Sequence, residues 1–260
     1  MPKNLHDNHT DTLKFVHITD THLLDHAEET FRSLNTKESL EAVLSHIDRS
    51  YPDIDFLLFT GDISQTGNEE SYALFNSVIQ QYDLPIYCVP GNHDTPILLQ
   101  QTVPNCPGES INIVELGQFS LVLLNSWVEG EHHGMLSHRC LQQLDDHLKY
   151  SEKQFNIIAI HHPPVPINCS WLDEIALLNQ TEFLQVINKH PGNALLLFGH
   201  IHQEFDHQID SLRLLATPST CHQFKASSSS THHTETSQPA YRYIKLCKSN
   251  NINTKVHYIE

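Results

Sequence analysis

A mixed α/β layered fold is predicted by three features of this 260-residue chain. Strand-length apolar runs alternate with helix-period segments in the N-terminal part, as in βαβ units. Most of these runs stop in glycine, asparagine, aspartate or histidine. The C-terminal part then turns to strand-like sequence of antiparallel character, which adds a mixed sheet to the early parallel one.

The elements follow in order. LKFVHITD (13–20) reads as a strand and KESLEAVLSHIDRSY (37–51) as an amphipathic helix. DFLLFTGD (55–62) is a second strand, and NEESYALFNSVIQQY (68–82) a second helix. IYCVPGNHD (86–94) is a third strand running into a loop. INIVELGQFSLVLLNSW (111–127) predicts a hairpin turning near Gly117. Ser137 is placed to cap a helix that runs to Tyr150, before the strand FNIIAIHH (155–162). TEFLQVINKH is helical in period and leads to a strand at 194–202. FDHQIDSLRLLATPST and YRYIKLCKSNNINTKVHYIE complete the antiparallel part. Between them the polar, low-complexity stretch 225–238 is expected to be a mobile loop. Residues 1–12 read as a polar N-terminal segment and 13–260 as one domain.

Composition excludes several classes. The chain is 39% hydrophobic and 18% charged, the balance of a globular protein. Its formal charge of −16 argues against nucleic acid as a partner. The start, MPKNLHDNHTDTLKF, has no apolar signal-peptide core, and no run reaches membrane-spanning length. A cytoplasmic address without membrane contact is expected. Six scattered cysteines without CxxC spacing fit reduced thiols better than disulfides or a zinc–thiolate site.

With 21 histidines, an isolated histidine means little, so position must decide. Five predicted strands end in the same residue types: Asp20-Thr21-His22, Gly61-Asp62, Gly91-Asn92-His93-Asp94, His161-His162 and Gly199-His200-Ile201-His202. In open α/β sheets, ligand sites lie beyond the carboxyl ends of the strands. In extended chain, i and i+2 face the same way, so His200 and His202 can aim at one place. Carboxylate, carboxamide and imidazole donors without thiolate suit divalent manganese, iron, cobalt or zinc. There are too many for one ion, and two ions sharing a carboxylate would use them all. Gly61, Gly91 and Gly199 would relieve crowding around the ions. Asp7-Asn8-His9 has a similar spacing but follows no strand. His17, inside the first strand, is expected in the core or on the surface, and His132, His133, His232 and His233 in solvated loops.

DTH, GD, GNHD, HHPP and GHIH, in this order, resemble the calcineurin-like metallophosphoesterase superfamily. ITDTHL (18–23), NCSWLD (168–173), GHIHQE and RLLATPSTCHQFK (213–225) extend the resemblance to the bacterial class III 3′,5′-cyclic-AMP phosphodiesterases. The resemblance implies a four-layer α/β/β/α sandwich of two mixed sheets. It places one divalent ion on Asp20, His22, Asp62 and His202, and a second on Asp62, Asn92, His161 and His200. Iron(II) or manganese would fill them, with zinc or cobalt as alternatives. The His-x-Pro pattern selects His161 as ligand and leaves His162 flanking. The implied reaction converts 3′,5′-cyclic AMP to 5′-AMP by in-line attack of a bridging hydroxide. His93 and Asn92 are the catalytic candidates, and His22 and His202 join them against the bound cyclic nucleotide. Many monoesterases of the superfamily read GDxxDR, whose aspartate orients the GNH histidine and whose arginine binds the phosphate. Here GDISQT puts Gln65 and Thr66 at those places, so that a glutamine side chain would accept from His93, and the missing arginine favours a diester. Other phosphodiester or nucleotide pyrophosphate hydrolysis on the same scaffold is the alternative. A catalytically silent scaffold would have lost ligands that this chain keeps.

Overall fold

Two β-sheets pack face to face in the computed structural model, which describes residues 12–153, 155–190, 192–226, 234–247 and 251–260. The first half runs β1 (Thr12–Ile18), α1 (Thr36–Ser50), β2 (Phe56–Thr60), α2 (Glu69–Ile79), β3 (Ile86–Val89) and α3 (Pro96–Thr102). Then come β4 (Ile111–Leu116), β5 (Phe119–Leu124), α4 (His138–Tyr150), β6 (Phe155–Ala159), α5 (Ser170–Asp173), α6 (Gln180–Asn188) and β7 (Asn193–Phe198). The chain closes with β8 (Phe205–Ile209), β9 (Leu212–Ala216), β10 (Gln223–Phe224), β11 (Thr234–Thr236), β12 (Ala240–Cys247) and β13 (Ile252–Tyr258).

One sheet has the order β13-β12-β1-β2-β3, the other β4-β5-β6-β7-β9-β8. Central pairs such as β1–β2 and β6–β7 are parallel, and β12, β13, β4 and β8 add antiparallel partners. Side chains alternate between two buried faces. Phe15, Phe56 and Leu58 meet Leu121, Leu123, Leu195 and Leu197 between the sheets. Val16, Leu57 and Phe59 point the other way, under α1, α2 and α3. Val122, Leu196 and Phe198 do the same under α4 and α6. Burial on both faces is why these strands read as unbroken apolar runs. The layers are α/β/β/α, as the resemblance implied.

Ser137 caps α4, its hydroxyl accepting from the Cys140 N–H at 3.1 Å. Asn35 caps α1 in the same way, through the Glu38 N–H at 3.0 Å. Three expectations need correction. Strands stop short of the motif residues: β1 ends at Ile18, β6 at Ala159 and β7 at Phe198. Two short helices were not anticipated, although Pro96 at the first position of α3 is a start signal. The stretch expected as one mobile loop contains a strand, since Thr236 pairs with Gln223 and Thr234 with Phe224. Residues 227–233, with His232 and His233, and residues 7–9 lie outside the described part.

All six cysteines are free. Among the described residues no helix is long and apolar enough to cross a membrane. His17 lies in the core, held between the hydroxyls of Thr60 (2.7 Å) and Thr217 (2.6 Å). Burial, with the Arg242 charge, drops its pKa to about 3, so it is a neutral polar tie.

Arg242 is 1% exposed and reaches from β12 across to the second sheet. Its Nη2 donates to the carbonyls of Ala216 (2.8 Å) and Phe205 (3.4 Å), and its Nη1 to Thr254 (3.2 Å). Removing the guanidinium leaves buried acceptors without donors. Arg242→Met is expected to lower the unfolding free energy by about 2–4 kcal/mol in urea titration. Arg139→Met, on the exposed face of α4, should change it by less than about 0.5 kcal/mol. Equal effects would mean that Arg242 does not tie the sheets.

Candidate metal centre

The loops that follow β1, β2, β3, β6 and β7 meet at one rim. Five of the seven ligand candidates there have left-handed backbone: Asp20 (φ 54°), His22 (47°), Asp62 (50°), His200 (69°) and His202 (49°). Such conformations are uncommon for residues with a Cβ and persist only where the surroundings enforce them. Backbone hydrogen bonds do the enforcing. Asp20 N donates to Gly61 O (3.0 Å), His22 N to Asp62 O (2.9 Å), and Gly199 N to His161 O (3.1 Å). The Ser219 hydroxyl donates to Asp20 O at 2.7 Å.

Two glycines are dictated by closeness. A Cβ on Gly91 would strike the Asp62 carboxylate, and one on Gly199 the Thr19 hydroxyl and the Asp20 carboxylate. Side-chain and backbone atoms of the site crowd these positions before any ion is counted.

The donor atoms form two groups that share Asp62. In the first, His22 Nε2 lies 3.2 Å from His202 Nε2, and His202 Nε2 lies 3.3 Å from Asp20 Oδ1. His22 Nε2 is 3.8 Å from Asp62 Oδ2. In the second, His161 Nε2 is 3.4 Å from the same Asp62 Oδ2, 3.3 Å from Asn92 Oδ1 and 3.1 Å from His200 Nδ1. Donors about 2.0–2.2 Å from one ion stand roughly 3–4 Å from each other, as these do. His200 and His202 therefore serve two adjacent groups. The extended alternation expected to aim both at one place is absent, because both residues are left-handed.

The remaining atoms of these side chains explain the orientation. His202 Nδ1–H donates to His222 O (2.6 Å) and His161 Nδ1–H to Thr60 O (2.7 Å), so each turns its Nε2 inward. Asp62 Oδ1 accepts from His93 N (2.8 Å), and Asp20 Oδ2 from Thr19 Oγ1 (2.7 Å) and His200 N (3.0 Å). Each carboxylate thus keeps one oxygen for the site. Asp20 Oδ1 is buried with no hydrogen-bond partner, as are His22 Nδ1 and His200 Nε2.

Charge agrees. Burial pushes Asp20 and Asp62 up, but His202 and His161 more than reverse it: Asp20 falls to about 2 and Asp62 well below the carboxylate range. Burial also lowers His161, yet Asp62 outweighs it and lifts the ring to about 9. His22 and His200 drop to about 3, chiefly through burial. Two ionised carboxylates beside buried imidazoles, with His22 and His200 held neutral, fit a pair of divalent cations, which would displace the proton that Asp62 holds on His161.

Neighbouring residues sort into other roles. His162, though near His161 and His200, has both ring nitrogens engaged: Nδ1 with the Ser126 hydroxyl (2.8 Å) and Nε2–H with His132 O (3.2 Å). His93 Nδ1–H donates to the backbone carbonyl of Gln65 at 3.1 Å, and the Gln65 amide lies 3.3 Å away. The acceptor that orients His93 is therefore main chain, which no substitution at the glutamine removes.

Asp94 was not singled out from the sequence, yet it braces two loops. It accepts from Gly91 N (2.9 Å), Ile63 N (3.2 Å), Ser64 N (3.1 Å) and Tyr72 Oη (3.0 Å). His132, expected as a solvated loop residue, is exposed but borders the site, 3.4 Å from the Asn92 amide. Both groups open onto a cavity of about 410 Å³, within the size range of small-molecule sites.

The assignment predicts different outcomes at adjacent positions. His161→Ala should lower bound metal from two ions per chain to one, by elemental analysis. His162→Ala should keep both. The reverse order would move the ligand to His162.

Comparisons with known proteins give the family. The calcineurin-like phosphoesterase family model matches residues 13–204. The chain is 35% identical over 247 residues to a 3′,5′-cyclic-nucleotide phosphodiesterase of Nostoc sp. strain PCC 7120, covering 95% of this chain and 92% of the relative. It is 36% identical over 248 residues to the 3′,5′-cyclic adenosine monophosphate phosphodiesterase CpdA of Escherichia coli K12, covering 94% and 89%. Among solved structures, a dimetal phosphatase from Danio rerio superposes with a TM-score of 0.67 at 16% identity, over 95% of this chain and 99% of that one. In fold and sequence alike, the chain belongs to the calcineurin-like phosphoesterase family.

Proposed function

We propose that this protein is a dinuclear metal-dependent phosphodiesterase that hydrolyses 3′,5′-cyclic AMP to 5′-AMP. The observation that carries the reading is the complete double ligand set around Asp62, in a chain alignable with cyclic-nucleotide phosphodiesterases over nearly its whole length. Asp20, His22, Asp62 and His202 would hold one ion, and Asp62, Asn92, His161 and His200 the other. Their oxygen and imidazole donors suit iron(II) or manganese, with zinc or cobalt as alternatives. When bound, such a pair supplies an activated water at neutral pH and charge stabilisation for the phosphoryl group.

The chain's own residues account for the rest. Net hydrolysis adds water at phosphorus, breaks the P–O3′ bond and leaves a proton to be delivered to O3′. His93 borders the cavity with its Nδ1–H held by the Gln65 carbonyl. When protonated, it presents Nε2–H to the leaving oxygen, a role that typically contributes about 10²–10⁴-fold. Thr66 stands where GDxxDR would bring an arginine, and its hydroxyl is turned to Asp25 at 2.6 Å. That loss of a phosphate-binding cation favours a diester monoanion over a monoester dianion. The reading treats residues 13–260 as one catalytic domain. Neither nucleic acid nor membrane is a partner in it, and the free thiols support a cytoplasmic address.

Product analysis tests it. With manganese or iron(II), cyclic AMP should disappear as 5′-AMP accumulates without further loss of phosphate. Adenosine appearing as fast as cyclic AMP is lost would make the protein a general phosphatase.

A further inference from the structure

One wall of the cavity has no part in holding metal or moving a proton. It is formed by Trp171, Leu172 and Ile175 around α5 and by Phe224 of β10. Phe224 lies on the imidazole of His202, with ring centroids 4.2 Å apart and planes at 20°. Trp171 meets Phe224 edge-on at 5.0 Å and 78°. Two ring contacts thus lead from a metal-ligand candidate to a half-buried indole that faces the cavity.

The wall is preformed. Trp171, Ile175 and Phe224 all rest on the core beneath the second sheet. The turn that presents Trp171 is clamped by Asp173, whose carboxylate accepts from Ile167 N (2.8 Å) and Cys169 N (3.2 Å). Asn168, which leads into it, adopts φ 62°. These residues belong to NCSWLD (168–173), a motif that the metal chemistry leaves without a task. A rigid aromatic wall beside an anion-binding centre matches a molecule with a charged phosphate and a flat apolar face.

Resting on the cyclic-nucleotide reading, we propose that this wall is the nucleobase subsite, with Trp171 supplying the stacking face and Phe224 and Ile175 supporting it. Stacking on an aromatic ring depends on base area and is tolerant of base identity. The subsite therefore acts on substrate affinity and leaves the chemistry at the ions unchanged.

The test pairs a ring deletion with a base deletion on the metal-loaded full chain. Trp171→Ala should raise KM for cyclic AMP by roughly 5- to 100-fold, with kcat changed much less, and Trp171→Phe should restore most of the loss. The base-free methyl riboside 3′,5′-cyclic phosphate should already have a high KM, which Trp171→Ala does not raise further. If the variant raises KM equally for both substrates, or for neither, the subsite is refuted.

A second arm needs no turnover. The chain has two tryptophans, so Trp127→Phe leaves Trp171 as the reporter. 5′-AMP should quench its emission and ribose 5-phosphate should not. Equal responses to both, or none to 5′-AMP at concentrations where calorimetry shows it bound to the metal-loaded chain, would overturn the proposal. Wild-type protein that fails to hydrolyse cyclic AMP would overturn the catalytic reading instead, and the fluorescence arm would still decide the subsite.

Discussion

The position of one carboxylate oxygen governs this structure. Asp62 Oδ2 stands between His22 on one side and His161 on the other, while Oδ1 is pinned by the His93 N–H. For that oxygen to serve both sides, loops from different strands must come within a few ångströms of each other. That proximity requires glycine where a Cβ would strike a ligand, and left-handed backbone at five of the seven donors. Each strained residue costs on the order of 1–3 kcal/mol. The backbone hydrogen bonds between loops and the four donors held by Asp94 offset part of it. The two tightly packed sheets make the arrangement rigid enough to persist.

Much of this was legible in the sequence, for physical reasons that differ by element. Strands buried on both faces announce themselves as apolar runs, so β1, β2, β5 and β7 were plain. Ser137 and Gly117 were readable because a cap and a tight turn each demand particular residues. The candidate donors were legible through their shared place after strands, and the fold brings their side chains together. The route by which His200 and His202 reach the site was not. The Asp20 carboxylate holds the His200 N–H and the His222 carbonyl holds the His202 ring, and both partners are distant in sequence. For the same reason the bracing by Asp94 and the closeness of His132 could not be read locally. Gln65 taught a different lesson. The sequence directs attention to its side chain, while the orienting acceptor is its backbone carbonyl, which every residue carries. Ring wall and β10–β11 ladder were equally hidden, since Gln223 and Thr236 find each other only in the fold.

Strain, charge and cavity then act together. The protein is acidic overall, yet its most buried acids face a cluster of imidazoles and present lone pairs to a common centre. Such a site attracts cations first and, through them, an anionic phosphate. The cavity above it is wide enough for a nucleotide and has an aromatic wall on the His202 side. The stacked pair His202 and Phe224 links the candidate ligand cluster to that wall.

The central claim is that two ions share Asp62. Anomalous diffraction from crystals grown with manganese tests it most directly. The account predicts two peaks, each about 2.0–2.2 Å from an Asp62 carboxylate oxygen, one beside His22 and His202 and the other beside His161 and His200. A single peak, or a second ion bound through His162 and out of reach of Asp62, would contradict it.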